Sequence, residues 1–381
     1  MHELFCGQCF DLQLFTRTTG RNVRLCSDFY TMMLLALCLA VSTLALVQSS
    51  AVQNCHPGCR CEVESFGLFD SFSLTSVDCS GLSRGTSMPI PIPLDTAHLD
   101  LSYISIMGPL TDTMLSGPGY TTLVSLDLSS NHITTVSPNA LSRLRYLESL
   151  DLSHNSLAAL APDFFSGLPL SEVDLSYNNF ADFDMSMFAT KVNGEPVTVD
   201  LSKNKLTTIS TVPHGKTLHI QSLNLTANFF TSVPMLSGLP LRYLNIDANP
   251  IKSIKEGAFS QLQDLVYLSI SGSRELQDIE PFAFKDLQSL QVLDLSNNPN
   301  LKKLDPKVFA GLDSLQELNL SNSGLVSLPN EMLAHLPSIK SIKLGQNILC
   351  WKTKKPGQFH LHLGQLQPTE VLNCNVEGIS L

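Results

Sequence analysis

Between Cys79 and Cys350 the chain contains no cysteine at all. No disulfide can staple that long stretch, so its stability has to come from packing and backbone hydrogen bonding. Charge is also sparse: 15% of the residues are charged, and the formal net charge is −10. That balance speaks against a nucleic-acid surface and mildly favours basic partners. Beyond Val47 no segment approaches about eighteen uninterrupted apolar residues, so neither a transmembrane anchor nor a GPI tail is expected. No group of residues reads as a catalytic, metal or cofactor site, and a non-enzymatic protein without a cofactor is expected.

What fills the cysteine-free stretch is a repeat. Leu123 to Asn131, LVSLDLSSN, has the pattern L-x-x-L-x-L-x-x-N. Further copies begin at Leu147, Leu170, Pro196, Ile220, Leu241, Leu265, Leu290, Leu315 and Ile339, and a degenerate first copy carries Leu99 and Leu101. The third apolar slot falls at 101, 128, 152, 175, 201, 225, 246, 270, 295, 320 and 344, in steps of 21 to 27 residues. This period and consensus predict an α/β-type leucine-rich repeat solenoid, a horseshoe of about eleven repeats. Its concave side should be a parallel β-sheet, and its convex side irregular or short-helical.

Each slot has a physical reading. Slots three to seven alternate, as a short strand does, so slots four and six point inward and slots three, five and seven to solvent. The ninth slot holds Asn131, Asn155, Asn178, Asn204, Asn228, Asn249, Asn298 and Asn347. An Asn side chain both donates and accepts, so a stack of them can satisfy backbone groups where each strand turns. Ile104, Ser273 and Ser323 interrupt the stack, and those turns are expected to be less regular. A second apolar column, Leu141, Phe165, Phe259, Phe284, Phe309 and Leu333, is expected to fill the convex side of the core.

The flanks divide the chain. Residues 1–51 read as an N-terminal extension and signal peptide, with an apolar core at about 33–47 that ends in Gln48-Ser49-Ser50-Ala51. About fifteen apolar residues are too few for a comfortable span and suit a signal peptide; Met32 is a natural start. Residues 52–95 form a cysteine-rich N-terminal cap, 96–349 the repeats, and 350–381 a C-terminal cap and tail, of which 377–381 reads as disordered. Six cysteines follow the leader, at Cys55, Cys59, Cys61, Cys79, Cys350 and Cys374. An even count confined to the two ends reads as disulfides closing the caps, and the four N-terminal ones allow three pairings. A zinc reading of Cys59-x-Cys61 fails on spacing. The cap aromatics Phe66, Phe69 and Phe72, with Leu68 and Leu74, are expected to form a hairpin covering the first repeat.

The fifth slot offers the candidate binding face. It holds Asp100, Asp127, Asp151, Asp174 and Asp200, then Asn224, Asn245, Ser269, Asp294, Asn319 and Lys343. Stacked carboxylates on the concave side repel one another and favour a cationic partner, although Asp-Leu-Ser is also plain repeat consensus. Tyr243 and Tyr267 occupy slot three of consecutive repeats, so the concave face of repeats two to eight is the expected docking surface, with these two as anchors. Asp151, Ser153 and His154 hold the letters of a hydrolase triad but are neighbouring consensus slots, and His360-x-His362 reads as one polar strand face. Lys340, Lys343, Lys352, Lys354 and Lys355 cluster near the C-terminus, as a solvated cap or a heparan sulfate contact.

Cap cysteines at both ends around about eleven repeats resemble the small leucine-rich proteoglycans of the extracellular matrix. The segments Cys61 to Leu74, Gly117-Pro118-Gly119-Tyr120 and Leu144 to Asn155 are similar to a secreted branch of that family that modulates developmental signalling. The resemblance implies the bridges Cys55–Cys61, Cys59–Cys79 and Cys350–Cys374. It implies an extracellular location and binding of bone morphogenetic proteins, chordin and Frizzled receptors, with no catalytic residues. A structural matrix protein that binds collagen is the alternative within the wider family.

Asn224-Leu225-Thr226 and Asn319-Leu320-Ser321 are N-glycosylation sequons. Both are expected to be occupied, so glycosidase treatment of the protein made in animal cells should lower the mass of both peptides.

Overall fold

The computed structural model describes residues 54–66, 72–82, 85–162, 164–189, 196–211, 218–329, 331–344, 373–375 and 378–380. All of them belong to the unit Val52–Leu381. The leader with its apolar core, residues 191–195, Asn347, Cys350, the Lys352–Lys355 cluster and His360-x-His362 lie outside the described residues.

One 15-stranded sheet organises the chain. It opens with the antiparallel hairpin Arg60–Phe66 and Phe72–Asp78. A parallel ladder then runs from Phe72–Asp78 through Thr96–Asp100 and Ser125–Asp127 to Ser341–Lys343, one strand per repeat. Equivalent slots pair with equivalent slots: Leu126 with Leu150, Leu150 with Val173, Leu244 with Leu268 and Leu293 with Leu318. A repeat of nearly constant length allows this register, and the register puts every inward Leu against two others. Leu126, Leu150, Val173, Leu244, Leu268, Leu293 and Leu318 are all at or below 1% exposure.

The last repeat strand is followed not by a disordered tail but by Gly378–Ser380, which pairs antiparallel with Ser341–Lys343 and then with Asn373–Asn375. The expectation of a disordered tail is corrected at 378–380, and 377 and 381 lie outside the described residues. An open sheet edge carries unpaired N–H and C=O groups, and the returning chain supplies partners for them. Both ends of the parallel ladder are thus closed by an antiparallel hairpin.

The convex side is irregular and short-helical, as expected. Among the described residues there is no α-helix, only the 3-10 helices Pro118–Thr122, Met185–Phe188, Pro306–Phe309 and Met332–His335 and three two-stranded parallel sheets. Asp184 and Asp305 cap two of these turns by accepting from Ser186 N and Lys307 N. None of these helices is long and apolar enough to cross a membrane. The expected convex column is buried throughout. Phe259 and Phe284 stack at 5.5 Å between ring centroids, and Phe165 stacks at 4.8 Å on Phe188, a member of the column that the consensus did not mark.

The strands are shorter than the alternation predicted. Most cover slots three to five, as in Ser125–Asp127 and Ser149–Asp151, and Thr96–Asp100, Val197–Asp200 and Ile220–Asn224 start earlier but also end at slot five. The chain therefore turns before slot seven, and Ser129, Ser153, Ser176, Ser202 and Ser296 are buried rather than solvent-facing.

The Asn stack forms the hydrogen-bond ladder expected of it. Asn178 Nδ2 donates to Leu152 O at 2.9 Å, Leu175 O at 3.1 Å and Ser176 O at 3.1 Å, while its Oδ1 accepts from Leu157 N at 2.9 Å. Asn131, Asn155, Asn204, Asn228, Asn249 and Asn298 repeat the arrangement, each bridging its own turn to the preceding repeat. Where Ser replaces Asn, the buried hydroxyls of Ser273 and Ser323 find no hydrogen-bond partner among the described residues.

At the N-terminal cap the disulfides are Cys55–Cys61 and Cys59–Cys79, the pairing that the resemblance implied. The hairpin covers the first repeat through Thr75, Val77 and Cys79, all buried, whereas Leu74 is 41% exposed and does not join the cover. The side chains of Phe66, Leu68, Phe69 and Phe72 lie outside the described residues. Behind the cap, Tyr120 is buried, donates to Ile90 O at 3.0 Å and accepts from Ile90 N at 3.1 Å. Burial pushes its phenol up to about 12. A Cβ on Gly119 would come within 2.4 Å of Pro93 O, so the Gly117-Pro118-Gly119-Tyr120 motif pins the link 88–93 to the repeats.

Asn178→Ala should lower the unfolding free energy by about 3 kcal/mol, because it strands buried carbonyls and one N–H. Ser323→Ala should stay within about 0.5 kcal/mol of the parent. Urea titration followed by circular dichroism separates the two.

Candidate binding face

On the concave face the fifth-slot acids are doing structural work before any partner arrives. Asp127 Oδ1 accepts from Ser129 N at 2.7 Å, Asp151 from Ser153 N at 2.7 Å, Asp174 from Ser176 N at 2.8 Å and Asp200 from Ser202 N at 2.7 Å. Each carboxylate locks the turn that ends its own strand. Asn224, Asn245 and Asn319 accept in the same way from Thr226 N, Asp247 N and Ser321 N. Asp127, Asp151, Asp174 and Asp200 are half-buried, with their second oxygens left for solvent or a neighbour. Burial holds the Asp151 carboxyl above the usual aspartate range, and the flanking Asp174 and Asp127 push the same way.

Repeat eight breaks this rule, and its neighbour repairs it. Slot five is Ser269 there, and its hydroxyl donates to Asp247 instead of accepting from Ser271 N. Asp247, in slot seven of repeat seven, reaches across the sheet instead, accepting from Ser271 N at 2.5 Å and from Ser269 Oγ at 2.7 Å. Burial raises the Asp247 carboxyl above its ordinary value against these bonds. The consensus hides this residue, and only the exchange of Asp and Ser between slots five and seven hints at it.

Tyr243 and Tyr267 are brought side by side by the register of their strands. Tyr243 is 48% exposed and Tyr267 half-buried. The sequon residues Asn224 and Asn319 are half-buried, and their Nδ2 atoms donate to Asp200 Oδ2 at 2.8 Å and Asp294 Oδ2 at 2.9 Å. Lys343 is exposed, and Lys340 Nζ donates to Gln316 Oε1 at 2.7 Å.

The triad letters come apart. Ser153 is buried with its N–H on Asp151, while His154 turns to the rim and stacks on Tyr177 at 3.8 Å. Cys59 and Cys61 are each in a different disulfide, which removes both as metal ligands. The face offers shape, hydrogen-bond acceptors and aromatic surface, which suit binding.

The leucine-rich repeat model matches residues 121–180, 240–299, 265–325 and 297–349. Tsukushi of Danio rerio is 61% identical over 345 residues, 91% of this chain and 99% of that protein. The chain belongs to the Tsukushi family. Tsukushi of Homo sapiens is 54% identical over 336 residues, 87% of this chain and 94% of the other. Tsukushi of Gallus gallus is 53% identical over 316 residues, 83% and 85% of the two chains.

For this Tsukushi-family chain, Asp247→Ser should cost about 1–3 kcal/mol, since it leaves the Ser271 N–H unpaired. Ser269→Asp alone should also destabilise, by setting two carboxylates against each other. The double variant restores an acid in slot five and should recover most of the loss, read as a positive coupling in a double-mutant cycle.

Proposed function

We propose that the protein is a secreted, non-enzymatic binding protein that modulates extracellular developmental signalling. It acts by sequestering a ligand or occluding a receptor with its preformed concave face. The observation that carries this reading is the side-by-side pair Tyr243 and Tyr267 on a half-buried Asp and Asn surface. Tyrosines on a rigid sheet cost little entropy to order on binding and often act as anchors. The carboxylates of Asp127, Asp151, Asp174 and Asp200, in repeats two to five of the same sheet, favour a partner with a basic patch.

Resemblance to the Tsukushi branch of the family supports bone morphogenetic proteins, chordin and Frizzled receptors as the partner class. Glycans on Asn224 and Asn319 would rise from this same face and set the direction of approach. Cys350–Cys374 would close the far cap, and a basic C-terminal end would allow a secondary contact with heparan sulfate. Collagen binding is the outcome that would assign the chain to the structural matrix class.

Immobilised bone morphogenetic protein, Frizzled cysteine-rich domain and fibrillar collagen should be compared as ligands for residues 52–381. Saturable binding to one of the first two is expected, weakened at least tenfold by Tyr243→Ala/Tyr267→Ala. Unchanged affinity in that variant would remove the concave face from the mechanism.

A further inference from the structure

Slot eight carries a feature that neither the consensus nor the concave face absorbs. Its backbone is left-handed in every repeat from the first to the tenth: φ is 59° at Tyr103, 54° at Ser130, 52° at His154, 53° at Tyr177, 54° at Lys203, 57° at Ala227 and 55° at Asn322. The cause is the ladder. The slot-eight N–H must reach the slot-seven carbonyl of the next repeat, as His154 N does to Ser176 O at 3.0 Å and Tyr177 N to Ser202 O at 3.0 Å. Left-handed backbone favours Gly and Asn and disfavours bulky side chains. The C-terminal half complies, with Ala248, Gly272, Asn297 and Asn322. The N-terminal half places Tyr103, His154, Tyr177 and Lys203 there instead.

These side chains line one rim of the sheet. His154 and Tyr177 stack with an interplanar angle of 18°, and Lys203 Nζ lies 4.2 Å from the Tyr177 ring centroid and donates to its hydroxyl. Slot ten adds His132, Lys205 and Phe229 on the same rim, and all six of these residues are exposed. No carboxylate occupies slot eight or ten in repeats two to six, in a chain whose net charge is −10. Among the described residues neither Lys203 nor Lys205 forms a salt bridge. The rim is therefore aromatic and cationic where the adjoining concave face is acidic.

We infer that this rim of repeats two to six is a docking strip for a polypeptide segment that presents carboxylates among apolar side chains. Charge complementarity selects the carboxylates, and exposed Tyr177 and Phe229 select the apolar neighbours. The strip rests on the reading of the chain as a protein-binding module, but it uses a different surface from Tyr243 and Tyr267.

The test uses glycosylated residues 52–381 against three probes: a random copolymer of glutamate and tyrosine, one of lysine and tyrosine, and heparin. The glutamate copolymer should bind best and lose affinity with added salt. Lys203→Glu/Lys205→Glu should weaken it at least tenfold with an unchanged thermal midpoint, since both side chains are exposed. Tyr243→Ala/Tyr267→Ala should leave it unaltered, which separates this strip from the concave face. Tyr177→Asn, better suited to left-handed backbone, should weaken binding while holding or raising the midpoint. Preference for the lysine copolymer or for heparin would overturn the proposal. So would full binding by the charge-reversed protein, or a midpoint that falls in Tyr177→Asn together with binding.

Discussion

The buried Asn amide is the interaction on which the structure depends. A parallel sheet of three-residue strands leaves many backbone groups at each turn without a sheet partner, and a solenoid turns once per repeat. Asn alone among common side chains presents two donors and an acceptor on a short arm. In this chain its Nδ2 gathers carbonyls from two repeats and its Oδ1 holds an N–H of the preceding one. The turn of one repeat is thereby specified by the next, and stability becomes a property of neighbours rather than of single repeats.

Once the Asn ladder sets the turn, other choices follow. Slot seven is drawn under the turn, so it is a buried Ser in repeats one to five and nine, and half-buried in repeats six, seven, eight and ten. Slot five sits two residues before an N–H that needs an acceptor, so it is Asp or Asn. The concave acids are therefore selected by the fold as well as by any partner, and the two demands share one carboxylate: Oδ1 serves the turn and Oδ2 faces outward or meets the next strand. The exchange between Asp247 and Ser269 illustrates the same requirement, because an acceptor must be present but can come from either of two strands. Slot eight is forced left-handed by the ladder, and the bulky residues held there in the N-terminal half work against local preference. In return His154 stacks on Tyr177 and Lys203 lies over the Tyr177 ring.

The caps answer a different constraint. A stack of identical repeats has two raw ends, each an unpaired sheet edge above an open core. The chain closes both with antiparallel strands and adds two disulfides at the N-terminal one, where the hairpin has little core of its own. Tyr120 then ties the cap's extended link to the second repeat by bracketing both backbone groups of Ile90.

Much of this was legible in the residues. The period, the inward Leu positions, the Asn column and the Phe column follow from spacing, because a repeat that stacks in register makes sequence position and spatial position the same thing. The sequence also marked Tyr243 and Tyr267 as neighbours for that reason. It did not show where alternation stops. Slot seven was read as outward because a period of two carries no information about strand length, and strand length is decided by where the Asn ladder forces the turn. Nor did it show that the tail pairs with the last strand, a contact set by an edge that exists only once the sheet is built. The reach of Asp247 across to Ser271, and the stacked geometry of His154 on Tyr177, were decided by the tertiary structure. Both depend on the roughly 5 Å between neighbouring strands, which brings together residues about one repeat apart in the chain.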